Sequence, residues 1–330
     1  MLPPGKVPPE KLEELVFTHL GKKDGRVIIG PGPGIDAAAI DFGSSVLVAS
    51  TDPITGAGKG IGFYAVHVNA NDVATFGAVP RWFLVTVLLP EGSDEGLLGM
   101  IMGEIHESAE KLGITVVGGH TEVTPALGRP VVVGTMLGEV EKGKLVTSNG
   151  ARPGDAIVVT KWAGLEGTSI IASERAEELE RSFGREFVER AASFIGMISV
   201  VEDALTAVEA GVHAMHDPTE GGLANGLHEM ADSAGLGFRV HADRIPIREE
   251  TLRICEFYNL NPLALISSGM LMVATPPERA GKLVEALESR GIKASIIGEF
   301  VEEGDIRVIV EKGKEKPLER PESDELWKVV

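Results

Sequence analysis

Strand-like and helix-like runs alternate along this chain in two successive passes, and a restart near residue 150 separates them. In the first pass, PEKLEELVFTHL at 9–20 sets Leu12, Leu15, Val16 and Leu20 on one helical face before Gly21. Strand-like runs follow at 27–29, 44–51 and 82–90. Ser93 is placed to cap a helix over 94–112, with Leu97, Leu98, Ile101, Ile105, Ala109 and Leu112 turned inward. Strands around 114–118 and 130–139 close the pass. NGARPGDAIVVT at 149–160 then puts turn residues ahead of a buried strand. Helices around 184–210, 218–234 and 277–290 follow, with strand-like runs at 237–242, 270–275, 294–300 and 306–311. The rhythm is not a strict βαβ repeat. An α+β build, with helices against one face of each sheet, fits it better than a doubly wound parallel sheet.

A length of 330 residues suits two domains, and the restart places them at 1–150 and 151–330. The charged stretch 312–330 is expected to be a loosely held tail. The 41 glycines and 5% aromatics point to tight turns and close backbone approaches. A net charge of −18 argues against nucleic acid or an anionic membrane as partner. One cysteine leaves no intrachain disulfide, so a reducing compartment is expected. No apolar run reaches membrane length, and MLPPGKVPPEK has no signal-peptide core. The expected location is the cytoplasm. The absence of glutamine is a thermophile tendency.

Three aspartates stand at junctions between elements: Asp36 in GPGIDAAAI, Asp52 at the end of VLVASTD, and Asp72 in VNANDVATFGAVP. Converging carboxylates repel unless a cation lies between them, and Mg²⁺ with bound phosphates commonly collects oxygen ligands this way. Each also has a plain structural reading: a surface turn for GPGPGID, a turn residue before Pro53 for Asp52, and a helix cap for Asn69, Asn71 or Asp72. His67 alternates with Val66 and Val68 in a strand-like run and reads as structural rather than catalytic. GGHTEV at 118–123 follows the apolar ITVV and reads either as a site edge, with His120 and Glu122 toward a ligand, or as a tight polar turn. In HDPTEGGLA at 216–224, Asp217 as cap, Pro218 and Glu220 satisfy an acidic capping box. Gly221 and Gly222 go beyond that need. Glycine in a first helical turn costs about 1 kcal/mol, which implies close approach to a ligand or to another backbone. Cys255, in helical register with Leu252, reads as a small buried hydrophobe.

Taken in order, these motifs resemble the AIR synthase (PurM-like) superfamily, and within it the HypE-type hydrogenase-maturation proteins. GIDAAAI is similar to the family's GDDAAV, NANDVATFGAVP to its NDLAxxGAxP helix, GGHTEV to GGDTKV, and DPTEGGLA to the HypE-type form of its C-terminal-domain motif. The resemblance implies two α+β domains, N-terminal sheets pairing into a dimeric barrel, and a C-terminal α/β sandwich. It implies a homodimeric enzyme that binds ATP and Mg²⁺ and activates an amide-type oxygen by phosphorylation. Asp36, Asp52 and Asp72 would hold the metal. Gly34, Asn71, Gly118, Gly119, Thr121, Thr219, Gly221 and Gly222 would line the nucleotide and substrate cleft, with His120, Glu122, Asp217 and Glu220 as reacting groups. Hydrogenase-maturation proteins are the implied partners. The chain departs from the pattern at Ile35, His120, Glu122 and Ser268, and its end, ELWKVV, lacks the family's terminal Cys. A small-molecule kinase like thiamine monophosphate kinase is the alternative enzyme, and a non-catalytic nucleotide-binding maturation partner the alternative class.

Overall fold

The structure, a computed structural model, describes residues 7, 9–55 and 60–330, so most of the N-terminal stretch read for a leader lies outside them. Two compact units divide the chain. The smaller holds 25–30 and 36–145, the larger the residues up to 24, 31–35 and 146–330. Three stretches of the expected first domain, up to 24, 31–35 and 146–150, therefore cluster with the second. One of them carries α1 (Pro9–Leu15). This helix ends earlier than expected, and Leu15, Val16 and Leu20 are exposed rather than packed.

The smaller unit runs β1 (Val27–Ile29), β2 (Ala38–Asp41), β3 (Ser45–Ile54), α2 (Ile61–Thr75), β4 (Val79–Leu89), α3 (Glu95–Leu112), β5 (Thr115–Val123) and β6 (Val131–Glu141). Its sheet has the order β1-β2-β3-β6-β4-β5. Pairing is antiparallel except between β4 and β5. Alternation along β3, β4 and β6 buries Val46, Val48, Phe83, Val85, Val132 and Met136 on one face, and α2 packs there with α3 against it. The cap of α3 is Asp94, not Ser93. Asp94 has extended backbone and its carboxylate accepts from Leu97 N at 2.8 Å, while the Ser93 hydroxyl donates to Pro90 O. GGHTEV is not a turn after a strand but the second half of β5, carried on by parallel pairing to β4.

The larger unit adds β7 (Ala156–Thr160), α4 (Leu165–Glu174), α5 (Ala176–Phe183), α6 (Arg185–Ala192), α7 (Val201–Ala210), β8 (Ala214–His216), α8 (Gly222–Ala234), β9 (Gly237–His241), α9 (Glu249–Tyr258), β10 (Met272–Thr275), α10 (Pro277–Ser289), β11 (Ala294–Val301), β12 (Arg307–Glu311) and β13 (Lys314–Pro317). Its sheet has the order β13-β12-β9-β11-β7-β10-β8. Every residue of β7 and β10 is buried, so the middle of this sheet is covered on both faces rather than one. Leu223, Leu227 and Met230 of α8 pack with Ile157, Phe238 and Met272 in one core.

Three expectations are corrected here. The helix expected over 184–210 is α6, a 3₁₀ turn at Ser193–Met197, and α7. The buried Lys161 ammonium takes the carbonyls of Met197 and Ser199 as acceptors, which diverts them from a helical ladder. The helix expected from 218 begins at Gly222, because Gly221 and Gly222 both adopt positive φ, 79° and 58°. The expected loose tail is packed. β13 pairs with β12, Leu318 joins the sheet core, and Leu326 and Val329 join a second core with Cys255. Apolar anchors spaced among charges hold it. Among the described residues, no single helix is long and apolar enough to cross a membrane.

Candidate functional site

In the smaller unit α2 is buried along almost its whole length, yet it carries His67, Asn69, Asn71, Asp72 and Thr75. Buried polar groups cost free energy unless hydrogen-bonded, so such a helix marks a built site. Ser50 and Asp52 lie two apart on β3 and share the face turned to α2. The Ser50 hydroxyl donates to Asp72 Oδ2 at 2.5 Å, and Asp52 N donates to Asn69 Oδ1 at 2.9 Å. Thr75, one turn beyond Asp72, donates its hydroxyl to Asp72 O and reaches Asp36 Oδ2 at 3.3 Å. Thr75 thus bridges Asp36 and Asp72 near the end of α2, while Asn69, further back on the same helix, holds the Asp52 backbone.

Asp72 is the most enclosed of the three, at 5% exposure. The three do not close into one group with all ligand atoms within 4.8 Å of one another. Mg²⁺ keeps several waters and binds through one or two carboxylates plus phosphates, so hard oxygen donors at wider spacing fit that ion.

The other expected residues fall in three places. Asn71 is fully buried on α2. Gly118, Gly119, His120, Thr121 and Glu122 lie along β5, all exposed. His120 Nε2 lies 3.0 Å from Glu122 Oε2, and the Thr124 hydroxyl donates to Glu122 Oε1 at 2.7 Å. Those two contacts, Thr124 first, hold the Glu122 carboxyl below its ordinary value. Gly34 belongs to the larger unit, where any side chain would meet the Glu229 carbonyl on α8.

Asp217, Thr219, Glu220, Gly221 and Gly222 form a turn between β8 and α8. It closes through Gly222 N to Thr219 O at 2.9 Å, and Asn225 Nδ2 donates to Glu220 O at 3.0 Å. Asp217 is therefore no cap of a helix starting at 218. The close approach inferred from the glycines is to backbone: a Cβ on Gly222 would collide with the carbonyl oxygens of Leu265 and Leu263. Before the turn, His216 Nε2 meets Glu229 Oε2 at 2.9 Å.

Four contributors escape the sequence. Ser50 and Thr75 are short hydroxyls whose only signal is spacing, i+2 along a strand before Asp52 and i+3 along a helix after Asp72. Asp324 comes from the tail. Its Oδ2 accepts from Gly221 N at 2.6 Å and Oδ1 from Leu326 N at 2.8 Å, and burial pushes its carboxyl up to about 6. Glu166, in the first turn of α4, is pushed up to about 7, chiefly by burial. Cys255 is buried, and its thiol is pushed up to about 12 by desolvation, which suits packing rather than reactivity.

Residues 34–140 match the family model of the AIR synthase related protein N-terminal domain, and residues 152–311 that of its C-terminal domain. A Methanocaldococcus jannaschii protein named for hydrogenase expression and formation is 29% identical over 89% of this chain and 88% of its own length. Carbamoyl dehydratase HypE of Azotobacter vinelandii is 32% identical over 81% of this chain and 78% of its own. The crystal structure of hydrogenase maturation protein HypE in complex with ATP superposes with a TM-score of 0.74 at 26% identity. That match covers 100% of this chain and 98% of the other. With both domains matched and a HypE protein among its relatives, the chain belongs to the AIR synthase related family.

Proposed function

We propose that this chain is an ATP-dependent enzyme of the carbamoyl-dehydratase type, acting in hydrogenase maturation on an amide-type group. The observation that carries the reading is Asp72, a carboxylate enclosed on a buried helix and held by Ser50, with Asp36 contacted by Thr75 and the Asp52 backbone by Asn69 of the same helix. Nothing in packing asks for that concentration of acid. A triphosphate with its counter-ion does.

The chemistry is a dehydration driven by phosphoryl transfer. The amide oxygen bonds to the γ-phosphorus and ADP leaves. The carbon–oxygen bond then breaks, the nitrogen gives up both protons, and the oxygen departs with phosphate, leaving a C≡N group. Asp36, Asp52 and Asp72 would hold Mg²⁺, which would neutralise the phosphate charge. Asn69 and Ser50 fix the aspartates, so the site is organised before the nucleotide arrives. Asp217 and Glu220 of the 217–222 turn, and His120 with Glu122 on β5, serve as proton-handling and positioning groups.

The working form is a homodimer built on the smaller unit. Its outward sheet face carries Leu47, Trp82, Leu84, Val133 and Leu137 half-buried or exposed, and the edge strand β5 exposes Val116, Val117 and Val123. An uncovered apolar sheet face with a long free edge is a liability that pairing removes. Other hydrogenase-maturation proteins are its partners, in the cytoplasm.

The test supplies ATP, Mg²⁺ and a carbamoyl thioester to the purified protein. Phosphate release and the C≡N stretch of a thiocyanate are followed together. Both should appear, should need all three additions, and should fall by at least about 100-fold in Asp72→Ala, the scale lost with a key electrostatic group. ADP formed with a stable phosphorylated acceptor and no C≡N band would instead identify a kinase.

A further inference from the structure

Glu166 is buried at the start of α4, at 6% exposure, and its Oε2 has no hydrogen-bond partner. The carboxyl's hydrogen bonds go to Ser268, through both its side chain and its backbone. The surroundings are tightly sewn. Gly164 N donates to Ser267 Oγ at 2.8 Å, Gly167 N to Ile266 O at 3.0 Å, and Ala224 N to Leu263 O at 2.8 Å. The loop 263–268 is thus clamped between the first turns of α4 and α8. Asp324 closes the fourth side through Gly221 N.

The charged groups acting on Glu166 are the carboxyls of Asp324 and Glu220, both of which oppose its ionisation. The other buried charges near α4 are engaged elsewhere: Lys161 with Asp203 at 3.1 Å, and Glu250 with Arg190 and Arg248. Like charges close by disfavour the ionised form, and they add to burial in raising both Glu166 and Asp324. Of the three carboxyls, Glu220 is the half-buried one, in the turn between β8 and α8.

We propose that Glu166 is a positioning residue for the 217–222 turn, a buried carboxyl that carries a proton behind Glu220 and lets the turn exchange protons with an amide-type substrate. The inference rests on the dehydration reading above. In that reaction the substrate nitrogen loses two protons. One leaves with the phosphate as hydrogenphosphate and the other is released. The released proton passes the turn while Glu166 holds or gives up its own, and it returns to solvent after turnover.

Infrared difference spectra of the whole protein, recorded as pH rises from 5 to 9 without any substrate, test the first half. A carboxylic C=O band should be lost with a midpoint near neutrality and be missing in Glu166→Gln. In Ser268→Ala, which removes a hydrogen bond to the ionised form, the midpoint should move up. This second variant keeps the test sound if Glu166→Gln folds poorly. A wild-type spectrum with no Glu166-dependent band in that range overturns the proposal. The second half is read from the pH profile of carbamoyl-dependent ATP turnover. Its neutral limb should disappear in Glu166→Gln with KM for ATP unchanged, and an unaltered profile overturns the role. Failure of the dehydration reading itself would be distinct, since it shows as no turnover in the wild type while the infrared band persists.

Discussion

Asp72 and Glu166 are both buried carboxyls, and their partners give them opposite characters. Asp72 accepts a short hydrogen bond from Ser50, while Glu166 keeps one oxygen without a partner. Removing the Ser50 hydroxyl in Ser50→Ala should weaken Mg²⁺-dependent ATP affinity by about 10-fold, in line with about 1.5 kcal/mol for a hydrogen bond to a charged group; titration calorimetry reads this. For Glu166 the folded-state value of about 7 lies above the ordinary 4.5. The folded protein therefore holds the proton more tightly than the unfolded chain. That stabilisation is full below about pH 4.5 and is lost as pH rises through about 7. Glu166→Gln should lose less stability than wild type over this interval, by on the order of 3 kcal/mol, as seen in urea unfolding at pH 5 and pH 8. Equal slopes in the two proteins would refute it. The three aspartates were legible in the sequence because each reads as standing at an element junction among small residues, although only Asp36 does so: Asp52 lies inside β3 and Asp72 inside α2. Glu166 was not, because an acid in a first helical turn reads as a surface residue answering the helix dipole, and only the tertiary fold buries it.

At the scale of elements, glycine separates two kinds of constraint. Gly222 sits at φ 58° with the Leu265 and Leu263 carbonyls where a Cβ would go. Gly222→Ala should cost at least about 2 kcal/mol from strain and collision, measured by chemical denaturation. Gly103, inside α3 with open space around it, should do the reverse, and Gly103→Ala should stabilise by up to about 1 kcal/mol. A neutral Gly222→Ala would mean that the turn relaxes freely and is not built around loop 263–268. Sequence periodicity located most strands and helices α3 and α10 to within a few residues, but it missed the first half of α2, where 66–68 reads as strand-like and 69–72 as a helix cap although the helix begins at Ile61. It failed where a distant group intervenes: Lys161 capturing carbonyls before α7, β4 extending β5 through GGHTEV, and Asp324 holding the turn before α8. Each of these is a contact across many residues that no local pattern encodes. The tail misled for another reason, since its dense charge hid Leu318, Leu326 and Val329.

For the whole molecule, both domains match one family, and the motifs quoted from the sequence were enough to name it. Reaction, metal and assembly are the proposals built on that frame. The outward sheet face of the smaller unit should bring two copies together. Light scattering should give about twice the 34.9 kDa chain mass, and Val117→Lys on the edge strand should yield monomer with little change in chain stability, since its side chain is exposed. A monomeric wild type would remove the dimer from the proposal. The central claim is that acid gathered around α2 exists to hold Mg²⁺ and a triphosphate. Calorimetric titration of ATP into wild type and Asp72→Ala, with Mg²⁺ and then with EDTA, tests it most directly. Saturable binding that needs Mg²⁺ and is lost in Asp72→Ala is the expected result. Absence of binding to the wild type, or binding indifferent to both EDTA and the substitution, would contradict it.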